Sequence, residues 1–440
     1  MRIKKIFAFF ICIVLLLQSG CAMTTVDQMF QLPKRSEEYN NLQTAIDEAM
    51  THLSYCAPSA GENQQTVQMA DLDGDGKSEY LLFAKGTQDK PLKILVFQEN
   101  NGDFSNIDTI SANGTTFDMV EYAEMDDRGG VEIIVGHKLN DQVLRTVSVY
   151  TFADGSLVQL ATANYTKFLA TDLDSNHLAE LFILRPGTTE ADNGVAELYA
   201  MRNGTMERCN EVTMSQPVDR LKRMIAGKLD GGKTAIYVAS TVGDTALITD
   251  IYTLQDEKLT NVSLSSESGT SIHTMRNFYV FADDINNDGI VELPALLPMV
   301  PLADMAHGDT HHLIRWYSMT PAGAGIDKMF TYHNFVGGWY FQLDSSWAQR
   351  LTVLQNGNQT ELFIWDKKYQ KNEKIMTIYA FSGQNREEQG LMEGRFVLQK
   401  TDTIVYSALL SENASKYGIT SEYAVFSFRL IQKDWKTGET

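Results

Sequence analysis

The sequence predicts a mainly β protein: a β-propeller of about five four-stranded blades with acidic turns, followed by a smaller α/β sandwich domain. Three observations point there. An acidic motif recurs roughly every fifty residues through the middle of the chain. Each copy sits at the same place in a repeating plan of apolar stretches. All 5 tryptophans lie after residue 315, which marks a change of composition near residue 333.

The repeat justifies the blades. DLDGDGKSEY from Asp71, DLDSNHLAEL from Asp172 and DINNDGIVEL from Asp284 align without a gap. A weaker copy, EMDDRGGVEI, begins at Glu124, and a degenerate one, GKLDGGKTAI, at Gly227. The ninth positions are Glu79, Glu132, Glu180, Ala235 and Glu292, spaced 53, 48, 55 and 57 residues apart. A β-rich stretch leads into every turn: TVQMAD, FDMVEYAEM, KFLATDL, RMIAGKL and NFYVFADD. A second strand leaves the turn and a hairpin follows. The tips Asn101-Gly102, Asp154-Gly155 and Asn203-Gly204 are residue pairs that accept the positive φ of tight hairpins. One such sheet cannot bury both of its faces, whereas a ring of them can. The plan fills residues 62–332.

The turns carry the clearest chemistry. In DLDGDGKSE, Asp71, Asp73, Asp75 and Glu79 fall where alternate side chains point inward around a hard cation. The Lys77 carbonyl takes the seventh position, and Gly74 and Gly76 permit the bend. Oxygen-only ligation in such a loop favours a structural Ca²⁺. The fifth copy offers Asp284, Asn286, Asp288 and Glu292, with Ile290 at the seventh position. The third offers Asp172, Asp174, Asn176 and Glu180, with His177 where a bend glycine belongs. In the second, Arg128 at the fifth position stands in for a metal between Glu124, Asp126 and Glu132. The fourth has lost its ligands and carries Lys228 and Lys233. A gradient from complete to erased suits a structural clamp; the other reading is a set of solvated Asp-rich turns.

The units resemble the FG-GAP and VCBS-type repeats of integrin-like propellers. The resemblance rests on the acidic turn between the first two strands, and the Phe-Gly and Gly-Ala-Pro signatures are missing. It implies a propeller with calcium-binding loops.

Residues 1–20 read as a signal peptide. Arg2, Lys4 and Lys5 precede an unbroken apolar run over residues 6–17, shorter than the ~20 residues a spanning helix needs. Ser19 and Gly20 then precede Cys21. The segment resembles a bacterial lipobox, in which the cysteine is lipidated, although Gln18 stands where Leu is usual. An ordinary secretory signal is the other reading. Two or more acyl chains give stable anchoring where one is marginal. Loss of the leader removes three positive charges and no negative ones.

Residues 21–61 read as a tether and a helix, with Leu42, Ile46, Met50 and Leu53 at helical spacing. Cys56 and Cys209 are expected as free, buried thiols. His307, Asp309, His311 and His312 read as a polar loop, since adjacent histidines on a strand face opposite sides. Residues 333–440 form the last domain. The pattern from GWYFQLDSSW to YGIT resembles an α/β sandwich module appended to lipoproteins of clostridia and related bacteria. ITSEYAVFSFRLIQKDW reads as a helix, and the clustered aromatics read as core.

The chain carries 37 Lys+Arg against 56 Asp+Glu, a net charge of -19, which argues against nucleic acid as a partner. No H-E-x-x-H, G-x-S-x-G or phosphate-cradling glycine loop occurs. The leading reading is a non-catalytic, lipid-anchored protein on the outer face of the bacterial cytoplasmic membrane or cell surface. It binds an extracellular protein or glycan. The alternative is an extracellular polysaccharide lyase or hydrolase on a propeller scaffold. Lipidation makes one outcome specific: Cys21→Ser is expected to leave the membrane fraction or remain unprocessed. A variant still cleaved after Gly20 and still acylated would contradict it.

Overall fold

The computed structural model describes residues 37–139, 145–189, 192–299 and 312–431. The lipobox with Cys21, and His307, Asp309 and His311, lie outside these residues. No helix among the described residues is long and apolar enough to cross a membrane.

Helix α1 spans Glu37–Ala49. Its helical spacing brings Ile46, with Leu42 and Met50, onto Leu82, Ala84, Leu95 and Phe97. Antiparallel sheets then follow one another along the chain. Sheet one contains β1 (Ser54–Tyr55), β2 (Val67–Ala70), β3 (Glu79–Lys85), β4 (Leu92–Asn100) and β5 (Asp103–Ala112). Sheet two contains β6 (Thr116–Ala123), β7 (Glu132–Lys138), β8 (Arg145–Ala153) and β9 (Ser156–Tyr165). Sheet three is β10 (Lys167–Thr171), β11 (Glu180–Arg185), β12 (Val195–Arg202) and β13 (Thr205–Thr213). In sheet four come β14 (Leu221–Lys228), β15 (Thr234–Val242), β16 (Ala246–Gln255) and β17 (Lys258–Asn261). Sheet five has β18 (Glu292–Pro298), β19 (His312–Met319), β20 (Gly325–Asn334) and β21 (Trp339–Leu343). Sheet six has β22 (Leu351–Asn356), β23 (Gln359–Asp366), β24 (Lys371–Ser382), β25 (Phe396–Lys400) and β26 (Ile404–Leu410). The short helix α2 (Arg386–Leu391) joins β24 to β25. Helix α3 (Ser421–Ser427) leads into β27 (Phe428–Leu430), which returns to pair with β21 in sheet five.

Successive side chains on a strand face opposite ways, so each sheet serves two cores. Leu81 and Phe83 pack against Phe117, Ile133 and Val135 of sheet two, while Leu82 and Ala84 face α1. Ile134 points the other way, toward Phe168, Leu181 and Ile183 of sheet three. Phe182 and Leu184 meet Ile236 and Val238 of sheet four, and Tyr237 meets Leu293 and Tyr317 of sheet five. Sheets five and six share the largest core, including Trp339, Phe341, Leu362 and Ile364. The Phe83 and Phe117 rings meet edge to face at 5.1 Å; such rings are worth about 3–5 kcal/mol against alanine in a core. This face-to-face succession is propeller-like. Helix α1 occupies the face of sheet one that a preceding blade would cover. Among the described residues no shared core joins sheet six to sheet one.

Three expectations need correction. The boundary at residue 333 falls inside β20, so it does not separate two units. Trp339 and Phe341 alternate as strand residues should, but β21 pairs with β20 and with β27, which extends sheet five across that boundary. The expected strand NFYVFADD is reduced to the isolated bridge between Asp283 and Glu292. There the Arg276 guanidinium donates to the Val280 carbonyl at 2.6 Å, and the Val280 amide turns back to Phe278, removing groups a ladder needs. The final predicted helix covers only Ser421–Ser427, started by the Thr420 side chain accepting from the Tyr423 amide. Trp316, Trp339 and Trp347 are core. Cys56 and Cys209 are free and half-buried.

The hairpin tips show a local strain. Asn101-Gly102, Asp154-Gly155 and Asn203-Gly204 all take positive φ, as expected of their turn type. The β16–β17 tip adopts the same geometry with Asp256 at φ 48° and Glu257 at φ 60°. A side chain there costs roughly 1–2 kcal/mol. Replacing the pair by Asn-Gly is expected to stabilise the protein by about 1 kcal/mol, read as a higher urea midpoint at unchanged slope. An unchanged or lower midpoint contradicts the strain.

Candidate metal centre

Each acidic loop hangs between the first two strands of its unit and is organised by its ninth residue. Glu79, Glu132, Glu180 and Glu292 are only 0–4% exposed. Each carboxylate accepts from the amide of the second position. Leu72 donates to Glu79 and Leu173 to Glu180 at 2.8 Å, Met125 to Glu132 at 2.7 Å, and Ile285 to Glu292 at 3.2 Å. The second side chains, Leu72, Met125, Leu173 and Ile285, are themselves buried. The apolar plug and the glutamate therefore hold each other in place. Loop four differs in length as well as charge. Gly227 pairs with Ala235 where Ala70 pairs with Glu79, so loop four encloses 228–234 where loop one encloses 71–78. The degenerate copy counted from Gly227 is thus one residue out, and loop four begins at Lys228. Leu229 takes the second place, and its amide donates to the Lys233 carbonyl at 2.8 Å in place of a glutamate.

The remaining ligand positions of loops one, three and five follow closely related hydrogen-bond patterns, loop five taking one first-residue donor from the fifth position where loops one and three take it from the fourth. Asp71 accepts from the amides of Gly74 and Gly76, Asp172 from Ser175 and His177, and Asp284 from Asp288 and Gly289. His177 takes φ 75°, close to the 84° of Gly76, so it makes the bend despite its side chain. Asp73, Asp174 and Asn286 each accept from the amide two residues on, as do Asp75, Asn176 and Asp288. The last three receive the amides of Lys77, Leu178 and Ile290.

This geometry gathers oxygen. Asp71, Asp73 and Glu79, and likewise Asp172, Asp174 and Glu180, bring carboxylate oxygens within 4.8 Å of one another, and either set could hold a metal ion. In loop five Asn286 donates to Asp288 at 3.1 Å and to Glu292 at 3.5 Å. Its amide nitrogen, not its oxygen, thus faces the carboxylates, and Asp284, Asp288 and Glu292 are not drawn together as the acids of loops one and three are. Burial and then the neighbouring carboxylates Asp174 and Asp172 push Glu180 up to about 7. Burial, Asp288 and Asp284 raise Glu292 to about 7 as well, and Glu79 also rises, through burial with Asp73 and Asp75. Carboxylates crowded this closely are short of positive charge, which is the fit a hard cation makes.

Loops two and four obtain that charge from side chains. Arg128 binds Asp126 through Nε at 2.9 Å and Nη2 at 2.5 Å, as its position in the motif predicts. Burial raises Asp126, but the Arg128 hydrogen bonds outweigh it and hold the carboxyl below its usual range. In loop four, Lys328 of β20 reaches Asp230 at 2.7 Å.

One set of site residues was not foreseen. Register shifts recur at Val96/Phe97, Val149/Tyr150, Leu198/Tyr199 and Trp316/Tyr317. In three of the four the residue after the shift addresses an acidic loop. Gln98 donates to Asp73 at 3.0 Å and to Glu79 at 3.4 Å, Thr151 contacts Asp126, and Ser318 contacts Asp230. Sheet three has Ala200 there, and a cavity of about 470 Å³ opens beside Asp174, Asn176 and Glu180. A bulge leaves no signature in one sequence, so only the structure reveals this position.

The loops also lock neighbouring sheets together. The Val131 amide donates to the Asp71 carbonyl at 2.9 Å, Ala179 to Glu124 at 2.7 Å and Val291 to Lys228 at 3.0 Å. Loops one and two approach so closely that a β-carbon on Gly74 would lie 2.5 Å from the Gly129 carbonyl oxygen.

No family model matches the chain, and no curated protein matches it. Among solved structures it is similar to the exotype rhamnogalacturonan lyase YesX, with 12% identity, 71% of this chain and 78% of that chain covered, and a TM-score of 0.31. TolB from Acinetobacter baumannii gives 10% identity, 76% and 68% coverage and a TM-score of 0.24. The Dos1 propeller gives 9%, 81% and 80%, and 0.31. At these identities and TM-scores the likeness assigns this chain no activity.

If the loops hold divalent cations, chelation is expected to lower Tm, because a cation at a hundredfold excess over Kd adds ~2.7 kcal/mol per site. Asp73→Ala combined with Asp174→Ala should remove most of that difference. Identical melting with a divalent cation and with chelator contradicts the assignment.

Proposed function

We propose that this protein is a lipid-anchored, extracytoplasmic binding protein whose propeller is held together by calcium and takes a protein or glycan ligand without turning it over. Calcium is the cation because the donors are all oxygen and the loops bend tightly around a central point. Asp71, Asp73, Asp75 and Glu79, with the Lys77 carbonyl, hold it in loop one. Asp172, Asp174, Asn176 and Glu180 do so in loop three, and Asp284, Asn286, Asp288 and Glu292, with the Ile290 carbonyl, in loop five. Bound calcium supplies the positive charge that these carboxylates otherwise lack. Cys21 carries the lipid that keeps the protein at the outer membrane face or cell surface.

The observation that supports binding over catalysis is the commitment of the acidic side chains. They accept backbone amides of their own loops, and that pattern recurs in loops one, three and five. Residues spent on repeated local geometry serve as clamps. Cavities border these loops instead, beside Asp174 and Glu180, beside Asp126 and Arg128, and beside Asp284 and Asn286. A rigid scaffold with loop-lined cavities suits ligand capture. The net charge of -19 favours neutral or basic ligands over polyanionic ones.

The test incubates the full-length protein with panels of cell-wall polysaccharides and of extracellular proteins. Calcium-dependent retention without new reducing ends or unsaturated products is the expected result. Sustained product formation, abolished by one cavity substitution that leaves Tm unchanged, would replace this reading with a polysaccharide-active enzyme.

A further inference from the structure

We propose that the cavity between loop five and sheet six is a subsite for a neutral oligosaccharide. The inference rests on the binding reading above and gives it a place and a ligand class. The cavity has a volume of about 530 Å³, within the ~300–1,000 Å³ of small-ligand sites. It is formed by elements far apart in sequence: loop five contributes Asp284 and Asn287, β21 contributes Gln342, β25 contributes Gln399, and the α3–β27 segment contributes Phe426 and Arg429.

The lining has the chemistry of a sugar site. Phe426 is 65% exposed and lines the cavity, so part of its ring is open to the C–H face of a pyranose. Arg429 lies over that ring at 5.4 Å and fixes its orientation. Arg429 holds itself in place by donating Nη1 to the Phe428 carbonyl at 2.8 Å, which leaves its other nitrogens for ligand hydroxyls. Gln342 and Gln399 make no side-chain hydrogen bond among the described residues, and each amide offers both donors and acceptors. Hydroxyl groups, which donate and accept together, satisfy such amides fully; a purely anionic or purely cationic ligand does not. Asp283 is paired with Arg223 at 3.8 Å, and the carboxylates Asp284, Asp288 and Glu292 around a divalent cation offset Arg429, so the cavity carries no net positive charge, which disfavours uronates and sulfated sugars.

The experiment titrates full-length protein with maltotetraose, cellotetraose and tetra-N-acetylchitotetraose by calorimetry in calcium buffer. At least one is expected to bind, and Phe426→Ala is expected to weaken it about tenfold or more through loss of the stacking face. Gln399→Ala should weaken it as well, whereas Tyr369→Ala, which removes an exposed ring elsewhere on sheet six, should leave it unchanged. Unchanged Tm in Phe426→Ala shows that the loss is not unfolding. No binding of any of the three below ~10 mM overturns the proposal, while a retained protein partner would keep the binding reading intact. Saccharide binding that is indifferent to Phe426→Ala overturns the site and leaves the broader function standing.

Discussion

A buried glutamate that accepts one backbone amide organises this molecule. In units one, two, three and five the ninth residue of the acidic loop turns inward and takes the amide of the second residue. That bond seats an apolar plug between sheets and fixes the start of the next strand. An unsatisfied buried carboxylate would cost several kcal/mol, so the bond specifies the loop more than it stabilises the protein. Where the glutamate is replaced by Ala235, the loop shortens and a backbone carbonyl from Lys233 takes over the same amide. The geometry outlives the residue.

The electrostatic cost of that arrangement is met in different ways. Loop two recruits Arg128 from within its own motif, and loop four recruits Lys328 from a strand of sheet five. Loops one and three keep their acids gathered without a cationic side chain among them, while burial raises the ninth-position glutamate in every unit that has one, Glu132 beside Arg128 included. A cation and an arginine are thus alternative answers to one local problem. Because the loop carbonyls also accept amides from the following sheet, neutralising a loop stiffens the contact between neighbours as well as the loop itself.

Much of this was legible in the residues. The recurring ninth position gave the loops, Asn-Gly and Asp-Gly gave the hairpin tips, and the spacing of Leu42, Ile46 and Met50 gave a helix on the outside. What one sequence could not supply was partnership across distance. Trp339 and Phe341 declare a strand but not which sheet receives it, so the composition change at residue 333 looked like a domain boundary when the chain was only extending sheet five. Gln98, Thr151, Ala200 and Ser318 become equivalent only once the bulges align them. Phe426 sits in what reads as an ordinary helix, and its place beside loop five follows from the pairing of β27 with β21, which no spacing announces. The strand expected before loop five fails because Arg276, unremarkable in sequence, takes a carbonyl the ladder required.

The central claim is that a cation in loops one and three does the work that Arg128 does in loop two. Residue-resolved hydrogen exchange at the amides of Leu72, Leu173 and Met125 reads this directly, since each donates to its ninth-position glutamate. Calcium at a hundredfold excess over Kd should slow exchange of Leu72 and Leu173 by about a hundredfold relative to chelator, while Met125 stays unchanged. Equal exchange at Leu72 and Leu173 with and without calcium, or an equal response at Met125, would contradict the account.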